Sequence, residues 1–163
     1  MRRPHTTHGS IRDRLSAAGN YAPFDVDSTL IGLVDTPPEH VLVETTSDEK
    51  STTWRIQWLT ETDVGEIIAT APEPVWNRYS DPIEGQKITA SMVPLKSIDR
   101  VTFAHEAAAV TQGDVHFILK GTLVAHHSAG ELLIPPLGMS STPENQVSEF
   151  QTAFLTAWRK HQR

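Results

Sequence analysis

In the stretch TTWRIQWL, residues 52 to 59, Trp54, Ile56 and Trp58 alternate with Arg55 and Gln57. A period of two places three large apolar side chains on one face of an extended strand and the polar pair on the other. Such a strand needs hydrogen-bonded neighbours and a second layer over its tryptophans, which commits this part of the chain to a packed sheet. The nearest partner is VGEIIAT, residues 64 to 70, reached through the turn TETD.

The same pattern extends in both directions, punctuated by Pro, Gly, Asp and Ser. TLIGLV (29 to 34) and HVLVETT (40 to 46) read as strands separated by DTPPE, whose consecutive prolines cannot donate to a ladder. KITASMVPL (87 to 95), SIDRVTFAHEA (97 to 107), VHFILKGTLVAHH (115 to 127) and ELLIPP (131 to 136) follow, with Gly121 marking a bulge or bend in a long strand or a tight turn between two short ones.

Two helices frame the strands. Ser10 can cap a short one whose face carries Ile11, Leu15 and Ala18, with Gly19 as its left-handed stop. At the carboxyl end, Thr142 can cap a helix with Pro143 in its first position. Val147, Phe150, Phe154 and Trp158 make one apolar stripe along it, and Arg159, Lys160 and His161 gather at its negative end. The expected fold is mainly β (α+β): antiparallel strands forming a small barrel or bent sandwich, capped by the carboxyl-terminal helix, plus a short amino-terminal helix. Residues 1 to 9, with His5 and His8, read as a mobile tail before a single domain spanning 10 to 163.

The chain of 163 residues has no cysteine, which excludes disulfides and thiolate metal sites and agrees with a reducing cytoplasm. A net charge of -6 opposes nucleic-acid binding. No apolar run is long enough for a transmembrane segment, and no signal peptide is expected.

MVPLKSIDRVTF, VHFILKGTLVAHHSAGELLIPP and EFQTAFLTAWRK together resemble, over roughly residues 50 to 161, a pleckstrin-homology-like (PH-like) bacterial domain. The resemblance implies a binding scaffold rather than a catalyst, for phospholipids, peptides or proteins. Phospholipid-binding members carry several Lys and Arg on the first two strands, whereas RIQWLTETDVGEI offers Arg55 against Glu61, Asp63 and Glu66. Those charges would repel a phosphorylated headgroup, so the expected partner is a protein or peptide rather than a phosphoinositide.

The long connection APEPVWNRYSDPIEGQ concentrates Trp76, Arg78 and Tyr79, residue types that dominate binding hot spots. These three are the candidate binding residues; the competing role for Trp76 is to plug one end of the core. His126 and His127 are adjacent and point to opposite faces of a strand, so they cannot share an ion through their side chains. His105, Glu106 and His116 form no forced cluster with them. No catalytic residue, metal ligand or cofactor is assigned, and no oligomeric state. Two alternatives stand beside the non-catalytic binding module. One is a β-barrel carrier of a small apolar ligand lined by Trp54 and Trp58, and the other is a histidine-dependent metallohydrolase.

Overall fold

The computed structural model describes residues 11 to 110 and 117 to 163, with side chains described outside 105 to 120. A helical turn, α1, covers residues 11 to 14 and runs into a two-residue hairpin, β1 (Ser16–Ala17) and β2 (Asn20–Tyr21). Ala18 and Gly19 both take positive φ between these strands, the backbone a tight hairpin turn requires. The first helix therefore ends earlier than its sequence pattern suggests, and Ala18 belongs to the turn. The tail expected at residues 1 to 9 lies outside the described residues.

Next comes α2 (Phe24–Leu33), where the apolar run TLIGLV was expected to be a strand. Short apolar runs fit either period. Here Pro23 opens a helix, Asp25 and Asp27 favour its positive end, and Val26 and Leu30, four apart, are buried on one face.

Seven longer strands form two antiparallel meanders. β3 (His40–Ser47), β4 (Thr52–Leu59), β5 (Asp63–Ala71) and β6 (Lys87–Pro94) make a four-stranded sheet in chain order, and β7 (Ile98–Val110), β8 (Phe117–His127) and β9 (Gly130–Ile134) make a three-stranded one. Gly121 lies within β8, opposite the β7 irregularity between His105 and Ala107, so the long-strand alternative is the one adopted. α3 (Glu144–His161) follows and packs on β3, β8 and the 3-10 turn Leu95–Ser97. The sheets are not closed into a barrel.

The four-stranded sheet is covered on both faces. Trp54, Ile56 and Trp58 pack with Ile67, Ala69 and the amino-terminal residues Ile11, Leu15, Val26 and Leu30. On the opposite face Leu42, Leu59, Val64 and Val93 join Leu123, Ala125, Leu132 and Ile134 of the second sheet, closed by Phe150 and Phe154 of α3. Polar contacts cross this second core: Gln57 Nε2 donates to the Leu133 carbonyl at 2.8 Å, and Gln151 Nε2 to those of Gly121 and Ile134 at 2.8 and 2.9 Å.

Thr142 does not cap α3 by its own side chain; the cap position is Pro143. The loop before the helix instead converges on Glu44, a buried carboxylate of β3. Its oxygens accept the backbone N–H groups of Ser140, Ser141 and Thr142 at 3.0 to 3.1 Å and the Thr142 hydroxyl at 2.9 Å. These amides precede the cap position, so the carboxylate supplies the acceptor that neither a sheet ladder nor the helix offers them.

Gly65 sits opposite Trp58, and a Cβ added there would come within 2.2 Å of the indole ring. Gly65→Ala is expected to cost about 1 to 3 kcal/mol through overpacking, read as a lower denaturation midpoint in urea. Glu66, across from Gln57 and facing the second core, has its carboxyl raised above the ordinary range by burial. The folded form therefore takes up this proton at higher pH than the unfolded chain, and the protein loses stability as pH rises through that interval. Glu66→Gln escapes the loss. It is expected to be the more stable protein near neutral pH, with a gap that narrows near pH 4, measured by urea denaturation at both.

Candidate functional site

The three residues nominated by the sequence are not brought together as one surface. Trp76 is 4% exposed and joins the core with Trp54 and Trp58, while Trp54 Nε1 donates to the Trp76 carbonyl at 2.7 Å. A buried indole N–H needs such an acceptor, and this one draws the loop inward. Arg78 lies over the Tyr21 ring at 4.4 Å and donates to the Arg12 carbonyl at 3.0 Å. Tyr79 alone of the three stands out, 83% exposed.

Beneath Arg78 is a buried acid that the sequence pattern did not flag. Asp27 lies 3.3 Å from Arg12 Nε and 3.9 Å from an Arg78 nitrogen. Burial pushes its carboxyl up and the two guanidinium groups oppose that shift. The cluster ties α1, α2 and the loop after β5 into one layer. Because TLIGLV was read as a strand, Asp27 had no visible reason to be inside.

On the outer face of the second sheet, His126 Nδ1 lies 3.1 Å from Glu131 Oε1, and its Nε2 shares a 2.9 Å hydrogen bond with Thr102 Oγ1. His127 pairs with Gly130 and points the other way, as alternation requires. A hydroxyl, imidazole and carboxylate in line can relay a proton, but these three stand on open strands, outside the clefts described next, and serve as a cross-strand ladder. The side chains of His105 and Glu106 and the whole of His116 lie outside the described residues. Among the described residues no three His, Asp or Glu converge as a metal ion requires. No described helix is long and apolar enough to cross a membrane.

Two clefts flank the β4–β5 turn, Thr60 to Thr62. On one side a cleft of about 510 Å³ lies against α3, lined by His40, Leu59, Ala153, Ala157, Lys160 and His161; the His161 ring meets the Glu61 carbonyl at 2.8 Å. On the other side a cleft of about 450 Å³ lies between the end of α2 and β6. Leu33, Val34, Pro37 and Met92 supply its apolar lining, and Asp35, Glu39, Glu61 and Asp63 its carboxylates. The tight β4–β5 turn was legible from TETD. Its neighbours were not, because Met92 and Asp35 come together only once α2 is a helix and β6 is the sheet edge. Comparison of the chain with protein-family models, with curated proteins and with solved structures gave no match.

Proposed function

We propose that the chain is a non-catalytic binding module on a PH-like scaffold, with a protein or peptide as its partner, acting in the cytoplasm. The element order supports the scaffold: the stretches on which the PH-like resemblance rests fold as the end of β6, then β7, β8 and β9, followed by the amphipathic α3. The observation that carries the function is the pairing of filled cores with open clefts. Trp54 and Trp58, the residues that would line an apolar carrier's cavity, are fully buried among other side chains, whereas the concave surface at the β4–β5 turn is solvent-accessible and flanked by an edge strand. Sites of this shape, part apolar and part polar, are where small domains take ligands.

A photo-crosslinking amino acid placed at Met92, and separately at Leu137 on an exposed loop, tests the reading in extract of the source organism. A module of this kind gives adducts of discrete mass from position 92 that are absent from position 137. No adduct at position 92, or the same adducts at both, would overturn it.

A further inference from the structure

Resting on that reading, we infer that the cleft between α2 and the β4–β5 turn binds a lysine- or arginine-bearing segment of a partner protein, seated beside edge strand β6. Three independent features favour a cation there. The rim carries Asp35, Glu39, Glu61 and Asp63, and no Lys, Arg or His lines the cleft. Among the described residues none of the four makes an ion pair. Arg14 engages the backbone carbonyls of Pro38 and Glu39, not a carboxylate, while the Thr62 hydroxyl donates to Asp63. The carboxyl end of α2 forms one wall at Leu33 and Val34, and its last turn has no basic side chain. The carbonyl end of its dipole adds a partial negative charge of the sign that attracts ammonium or guanidinium groups.

Two further features select a polypeptide over a simple ion. The carboxylates are spread around the rim, and among the described residues no three converge on a point that a metal could occupy. Between them the lining is apolar, with Met92 42% exposed at the sheet edge. Edge strands present unpaired main-chain donors and acceptors, so an extended segment can pair along β6 with an apolar side chain over Met92; because side chains alternate, the basic residues that reach the rim on the same face lie two positions to either side. Nucleic acid and anionic lipid meet repulsion at the same surface. The charges are exposed and individually weak, so affinity arises from several together and falls as salt rises.

Fluorescence anisotropy with two labelled probes, Gly-Arg-Ser-Val-Ser-Arg-Gly and Gly-Glu-Ser-Val-Ser-Glu-Gly, in which the charged residues share the face of the central valine, tests this on the full chain. The basic probe is expected to bind saturably and the acidic one not to bind. Asp35→Asn with Glu61→Gln should weaken the basic probe about tenfold, and Met92→Ser should weaken it further. Asp48→Asn with Glu49→Gln, the same change of net charge at the β3–β4 turn, should leave it unchanged. Equal weakening by both double variants, or no saturable binding, would overturn the proposal. If position 92 still crosslinks a partner in that case, the binding-module reading stands and only the basic chemistry fails.

Discussion

Trp76→Ala is expected to lower stability by about 3 to 5 kcal/mol, the cost of a cavity left by a large aromatic side chain in a packed core. Trp76 is buried against Trp54, Ile56 and Trp58, and its carbonyl is the acceptor for Trp54 Nε1. Alanine preserves the carbonyl but removes the ring that fixes the loop, so the 2.7 Å bond to Trp54 is weakened along with the packing. Urea denaturation gives the magnitude. A loss below about 1 kcal/mol would show that the loop holds Trp76 loosely. Tyr79→Ala, at an exposed position of the same loop, is the internal control and should change stability little.

Glu44→Ala is expected to cost about 1 to 3 kcal/mol, because it removes the shared acceptor of several part-buried donors at once. Three backbone N–H groups and the Thr142 hydroxyl converge on this carboxylate, in a loop whose Ser140 and Ser141 are exposed, so in the variant water takes over part of its role. Glu44→Gln keeps an acceptor oxygen but loses the charge, and should fall between the parent and the alanine variant. Amide hydrogen exchange at Ser140 to Thr142 provides a local readout: it should accelerate in the alanine variant before the sheet amides do. Unchanged exchange there would remove Glu44 from this role.

Much of the architecture was legible because it rests on local periodicity. The alternation at Trp54, Ile56 and Trp58 marked β4 and its buried face, and the stripe through Phe150 and Phe154 marked α3. The break in the pattern at α2 has a physical cause. TLIGLV is too short and too apolar for period to distinguish helix from strand, and the signals that decide it, Pro23 with Asp25 and Asp27, lie just upstream. The candidate site was less legible for a different reason. Composition pointed to Trp76, Arg78 and Tyr79, but whether an aromatic or an arginine faces water depends on distant partners, here the Trp54 indole and Asp27. The cleft at the β4–β5 turn draws on α2, the loop after it, and β6, and no motif links residues brought together only by tertiary packing.

The four-stranded sheet, with a core on each face, also divides the protein's stability. Neighbouring residues of one strand report on different packing units: Trp58 belongs to the layer built from α1, α2 and the Trp76 loop, and Leu59 to the layer shared with the second sheet and α3. The first layer can therefore detach as a cooperative unit while the second keeps the sheet folded, a sub-global opening of the kind seen in domains with separable clusters. Such an opening would unwind the α2 wall of the acidic cleft and leave the α3 side intact, so occupancy of that cleft and the integrity of the amino-terminal layer are thermodynamically linked: a ligand seated there stabilises residues as far away as Ile11.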